Sequence, residues 1–191
     1  MKYILLGLYF TILQLLIIIL HVQSSELFSI VWFCNNAPGF LAIGFFCKAF
    51  QLIKGIISLG IIAQFGWAVD VIYTSITGTA LFGFTTYVFA LTSWKLYLTV
   101  MVHFLSLSVA LLYTYKIPTL RESILYGMGY GLLLHMATLL LTPSTKNINC
   151  GFTLCGSLDV AIPGYMLLYP FLILGVLVIP GYYLQKVLQK V

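Results

Sequence analysis

The sequence predicts an all-α, polytopic transmembrane helix bundle, and three observations carry that prediction. Of 191 residues, 62% are hydrophobic and only 7% are charged, against about 25% charged in soluble domains. The mean hydropathy is +1.10, and 14 Phe, 13 Tyr and 3 Trp would leave a water-soluble fold without a polar coat. Six apolar runs come close to the about 20 residues needed to cross the hydrocarbon layer. The same composition excludes disordered and low-complexity classes. A net charge of +5 spread over nine Lys and Arg forms no basic stripe, so the expected partner is the lipid bilayer and not nucleic acid.

The six runs are Tyr3 to Leu20, Leu27 to Cys47, Gly55 to Tyr73, Leu96 to Tyr115, Ile124 to Leu141 and Ile162 to Leu184. Lys2 ahead of the first run would also open a signal peptide with a break near Val22-Gln23-Ser24. The run exceeds the usual core of about 7 to 15 residues, which favours an anchor. A seventh apolar stretch, Leu81 to Leu91, is too short to span and reads as re-entrant or interfacial. Trp94 beyond it suits the headgroup level. No internal repeat, linker or charge block interrupts the chain, so residues 1–191 read as a single integral membrane domain.

Basic residues orient the bundle, because short cytoplasmic loops collect Lys and Arg. With both ends in the cytoplasm, Lys2, Lys48, Lys54, Lys116, Arg121, Lys186 and Lys190 lie inside and only Lys95 and Lys146 outside. Treating Leu81 to Leu91 as a crossing would send four of the seven outside, so six spans are preferred. The expected location is the cell membrane.

Polar side chains are scarce in these runs, and each costs free energy in lipid, about 2.5 to 3.5 kcal/mol for a central Asp. Cys34, Asn35 and Asn36 fall about 10 to 14 Å down the second span. Pro38 and Gly39 follow, so a kink there would either offer carbonyl oxygens to a cavity or serve ordinary packing. Gln64, Trp67 and Asp70 recur every three residues on the third span and sweep one arc that should face protein, unless Asp70 simply reaches headgroup water. Thr99, His103 and Ser106 make a stripe on the fourth span. Asp70 and His103 sit at compatible depths, where a carboxylate would fix the imidazole tautomer; a histidine that merely ties helices together is the alternative. His135 falls on the fifth span and His21 at the outer end of the first. With no H-E-x-x-H and no histidines at i, i+4, no metal site is assigned.

The longest polar segment, Thr142 to Ala161, holds Asn147-Ile148-Asn149-Cys150 and then Cys155. A C-x4-C pair on the outer side reads as a structural disulfide, with a zinc pair as the weaker alternative. Cys34 and Cys47 are about 20 Å apart along one helix and cannot bridge each other. Walker, Rossmann and nucleophile-elbow motifs are absent, and carboxylates are too few for a paired acid and base. No catalytic residue or cofactor is assigned.

Trp32-Phe33-Cys34-Asn35, Gln64-x2-Trp67-x2-Asp70, His103 and Asn147-Ile148-Asn149 together resemble the pattern of a family of small polytopic prokaryotic membrane proteins. The resemblance runs from Trp32 to about Gly156 and implies a shared helical membrane fold and polar cluster, without an activity. Cys150 departs from that pattern. Size and topology are also similar to the substrate-binding subunits of vitamin-uptake transporters, in layout only. The intramembrane zinc hydrolases of the ceramidase and receptor-like superfamily combine Asp and His, but their final His-x3-His is missing here. The expected function is binding or translocation of a small polar or lipid-headgroup ligand in an outward-facing pocket. Asn35, Gln64, Trp67, Asp70 and His103 would line it, with Asn147 and Asn149 as its lid. The alternatives are an enzyme acting on a lipid, with His103 as base oriented by Asp70, and a structural or assembly subunit.

Overall fold

A computed structural model describes residues 1–91, 94–154 and 162–190. The described chain is all-helical, and five helices are long and apolar enough to cross a membrane. In chain order they are α1 (Lys2–Gln23), α3 (Phe50–Thr77), α4 (Trp94–Thr114), α5 (Glu122–Leu141) and the segment Tyr165–Leu188. That last segment is α6 (Tyr165–Leu172) and α7 (Ile179–Leu188), joined by a π-helical stretch over Ile173–Val178. Pro170 and Pro180 each remove a backbone donor from this segment, and a shift of hydrogen-bond register between them accommodates the loss.

The expected second span is broken. A 3-10 turn at Leu27–Val31 leads through Trp32, with ψ 136°, into the 14-residue α2 (Phe33–Phe46). This helix is about 21 Å long, too short to span alone. It nevertheless retraces α1 from end to end. Asn35 meets His21, Gly39 meets Gln14, and Phe45 stacks on Phe10 with ring centroids 5.5 Å apart. The path of the chain therefore keeps the expected alternation. Helix α1 turns Leu6, Phe10, Leu13 and Ile17 inward at helical spacing and leaves Leu5, Leu8, Ile12 and Ile19 exposed, the pattern of one protein face and one lipid face.

Helix α3 is the central post, packed on α2, α4, α5 and α7. Its close neighbours explain its glycines. A Cβ on Gly55 would lie 2.6 Å from the Gly127 backbone nitrogen and 2.7 Å from the Ser123 carbonyl oxygen of α5. On α7, a Cβ on Gly181 would strike the Ser58 carbonyl. Glycine costs a helix about 1 kcal/mol relative to alanine, so these positions favour backbone approach over helix propensity. Gly55→Val should wedge α3 from α5 and destabilise the protein by about 3 kcal/mol. A lowered thermal unfolding midpoint in detergent checks this, and an unchanged midpoint would refute the close contact.

The two ends of the bundle differ. At one end both chain termini meet the 47–49 and 115–121 connections, where Gln51 Nε2 donates to the Pro118 carbonyl and Gln189 Nε2 to that of Ile117. Lys2, Lys48, Lys116, Arg121, Lys186 and Lys190 lie there, with Lys54 slightly further in. At the other end lie the connection after α1, the 78–91 segment and the 142–154 segment, with Lys95 and Lys146. Leu81 to Leu91 makes no seventh crossing: its helical piece is a five-residue 3-10 turn, Thr86–Ala90.

Candidate functional site

The polar residues singled out in the sequence do not form one cluster. They divide into two clasps at the far end and one cleft on the flank of the bundle.

The first clasp closes the α1–α2 turn. Asn35 Nδ2 donates to His21 Nε2 at 2.9 Å and to the Ser29 carbonyl at 2.7 Å. Asn36 Nδ2 donates to the carbonyls of Val31 and Trp32, both at 3.1 Å, while its Oδ1 accepts from the Tyr130 hydroxyl. Asn149 reaches in from the 142–154 segment. Its Oδ1 accepts from the Phe33 N–H at 2.7 Å, and its Nδ2 donates to the Val31 carbonyl at 2.8 Å and to Thr138 Oγ1 at 3.2 Å. Phe33 opens α2, so its N–H is one that no helical carbonyl can satisfy. Asn149 thus caps α2 from a distant part of the chain. Asn147 shapes its own loop: its Oδ1 accepts from the N–H groups of Phe152 and Thr153, and its Nδ2 donates to Thr153. Both asparagines adopt positive φ, 41° and 53°, which Asn tolerates better than most residues. Cys150 is disulfide-bonded; its expected partner, Cys155, lies outside the described residues.

Beside Pro38, the Asn35 carbonyl is taken up by a side chain of α1 and does not face a cavity unpartnered. Gln14 Nε2 donates to the Asn35 carbonyl at 3.0 Å and Gln14 Oε1 accepts from the Gly39 N–H at 2.8 Å. Those are the two groups an unbroken helix would bond to each other. The amide of Gln14 bridges the gap next to the proline.

The second clasp belongs to Asp70. Its side chain is fully buried. Oδ1 accepts from the Phe82 N–H at 2.7 Å, and Oδ2 accepts from the Thr85 N–H at 3.0 Å and from Thr85 Oγ1 at 2.8 Å. All three donors lie in the 78–91 segment, so one carboxylate fastens that segment to the end of α3. It neither reaches headgroup water nor bonds to His103. The tautomer of His103 is set within its own helix, where Nδ1 lies 2.8 Å from the Thr99 carbonyl. An imidazole base oriented by Asp70 is therefore not assembled. His135 is separate again, with Nε2 3.2 Å from the Met166 carbonyl and its ring against Tyr169.

The cleft lies between α3 and α4. It encloses about 240 Å³ and is lined by Ile61, Gln64, Phe65, Ala68, His103, Phe104, Leu107, Ser108 and Leu111. Trp67 backs it, stacked on His103 with centroids 3.9 Å apart and planes 14° from parallel, and its Nε1 donates to the Tyr87 hydroxyl at 3.3 Å. Tyr87 belongs to the segment Asp70 holds, so the second clasp is mechanically joined to the wall of the cleft. Gln64 Nε2 is buried without a hydrogen-bond partner, and His103 Nε2 has none among the described residues. A second groove, between α1 and α2, has less to offer a ligand, because Gln14 there is already spent on the backbone of α2.

Of the seven predicted site residues, Gln64 and His103 line the cleft and Trp67 supports it. Asn35, Asp70, Asn147 and Asn149 are not among its lining residues; the asparagines are loop and helix-end ties, not a lid over it. Sequence reasoning passed over Gln14, Thr85, Tyr87 and Tyr130. Gln14 had a signal, an amide alone in an apolar run. The tyrosines did not, since their hydroxyls are hidden in the hydrophobic count.

Fold and site define a helical bundle of membrane-spanning type with a mostly apolar cleft in its flank that carries Gln64, His103 and Ser108. No family model, curated protein or solved structure matches the chain, so the resemblance drawn from the sequence gains no support from relatives.

Proposed function

We propose that this is a multi-pass cell-membrane protein, with both chain ends in the cytoplasm, that binds a small ligand bearing a polar group in the α3–α4 cleft. Gln64 and His103 contact the ligand, while Trp67 and the segment fastened by Asp70 position His103. The orientation rests on seven of the nine basic residues gathering at the end that carries the termini. The ligand role rests on one observation: two hydrogen-bonding side chains in a membrane-spanning region border a cleft and have no partner for Gln64 Nε2 or His103 Nε2. A buried polar group without a partner, as Gln64 Nε2 is, costs about 1–3 kcal/mol, and a bound ligand removes that cost. The asparagines and Asp70 are satisfied internally and serve the fold.

Filling the cleft tests this reading. Ser108 is exposed at its edge, so Ser108→Trp occupies the space without entering the core. Native mass spectrometry of wild-type protein purified from its own membrane should show a co-purifying small molecule that the variant lacks. Identical spectra for the two proteins would refute the proposal.

A further inference from the structure

The chemical class of the ligand follows from the two unanswered groups, and this inference rests on the cleft reading above. The Thr99 carbonyl only accepts, so His103 Nδ1 carries the proton at that contact. The lining holds no carboxylate to favour an imidazolium, and in the neutral ring Nε2 is a bare acceptor. Gln64 Nε2 only donates, and it lacks an acceptor. The cleft therefore asks for a ligand group that donates to one residue and accepts from the other. A hydroxyl does both. A carbonyl, ester or ether oxygen only accepts and an ammonium only donates, so each answers half the site.

Charge and depth narrow the class. The lining is Ile61, Phe65, Ala68, Phe104, Leu107 and Leu111 apart from Gln64, His103 and Ser108, so nothing there neutralises a phosphate or a carboxylate. Gln64 lies about 9 Å below Asp70 along α3, and His103 about 14 Å below Trp94 along α4. A charged headgroup at such depth in hydrocarbon costs several kcal/mol, whereas an uncharged alcohol sinks more cheaply. The mouth faces sideways, with Phe65 71% exposed on its lip, which gives entry from the bilayer and not from water. A volume of about 240 Å³ is below the range of about 300–1,000 Å³ for pockets that enclose a whole drug-sized ligand. It holds the polar end of a lipid while the chains stay in the membrane. We propose that the cleft takes a neutral lipid alcohol of the diacylglycerol type, its free hydroxyl donating to His103 Nε2 and accepting from Gln64 Nε2.

The probe is radiolabelled 1,2-dioctanoylglycerol, measured by equilibrium binding to the full chain in phosphatidylcholine nanodiscs. Saturable binding near one per chain is expected. Capping the hydroxyl as the 3-acetyl ester should weaken binding about tenfold, and so should either His103→Phe, which keeps an aromatic ring against Trp67, or Gln64→Leu. Ser108→Trp should abolish it. Equal binding of the acetyl ester that is lost in Ser108→Trp overturns the hydroxyl requirement and leaves the cleft as a ligand site. Displacement of the probe by dioctanoylphosphatidylcholine more effectively than by unlabelled dioctanoylglycerol overturns the neutral class in the same way. Absence of saturable binding, or binding indifferent to Ser108→Trp, overturns the lipid-alcohol assignment, and the co-purification experiment then decides the cleft reading on its own.

Discussion

Replacing Asp70 with asparagine should release the 78–91 segment, and the backbone amides of Phe82 and Thr85 should exchange hydrogen with solvent about 30- to 1,000-fold faster. The carboxylate accepts on both oxygens, from Phe82 N–H on one side and from the Thr85 N–H and hydroxyl on the other. Asparagine keeps one acceptor and turns an NH2 group toward donors, so at least one side of the clasp becomes donor against donor. Hydrogen bonds to charged groups contribute about 1.5–3 kcal/mol each. Loss of one or two gives about 2–4 kcal/mol, and each 1.4 kcal/mol is about tenfold in the local opening equilibrium. The effect should stay local, with α1 and α5 keeping their protection. Affinity for the proposed ligand should fall as well, because the freed Tyr87 no longer holds Trp67 against His103. Unchanged protection at Phe82 and Thr85 would mean that the carboxylate does not hold the segment.

Asn149→Ala should produce the largest global loss. It removes the acceptor for Phe33 N–H and the donors to the Val31 carbonyl and Thr138. It also places alanine at φ 53°, where asparagine is the better tolerated residue. Stranding one part-buried helix-start N–H and one carbonyl costs about 1–3 kcal/mol apiece, so a loss of about 3–5 kcal/mol is expected. The α1–α2 turn and the 142–154 segment should come loose together, since one side chain joins them. The bond from the Tyr169 hydroxyl survives, because it goes to the Asn149 backbone carbonyl. Asn149→Asp keeps the acceptor and loses the donors, and should fall between alanine and wild type. Unfolding midpoints in mixed micelles measure the series; equal stability of all three proteins would refute the cap.

Much of the helical architecture could be read from the sequence, because the length of a hydrophobic run reports directly on its capacity to span. The five long helices came from length and polarity, and the non-spanning nature of Leu81 to Leu91 from its length and the distribution of basic residues. The break at Trp32 was harder to see. Nothing in Leu27 to Cys47 is polar enough to end a span, and the break is held by Asn36 and Asn149 binding main-chain groups. Scarcity marked the costly residues correctly, but not their partners. Asp70 and His103 lie at neighbouring depths on consecutive helices, yet Asp70 binds backbone N–H groups, which every residue but proline carries and which no sequence pattern distinguishes. Asn147 and Asn149 were drawn away from the cleft in the same way, and Asn35 by the Ser29 carbonyl and His21. Gln64 and His103 are set apart by lining the cleft with hydrogen-bonding atoms left over.

The proposed ligand site requires that the cleft between α3 and α4, with its unmet hydrogen-bonding capacity, open to lipid. A nitroxide at position 108, introduced through Ser108→Cys in a Cys47→Ser background, measures this in reconstituted bilayers by power-saturation electron paramagnetic resonance. Collisions with oxygen, which concentrates in hydrocarbon, should far exceed those with a water-soluble nickel chelate, and added dioctanoylglycerol should reduce both. Nickel-chelate collisions that equal or exceed those of oxygen would place the cleft in water and rule out entry from lipid.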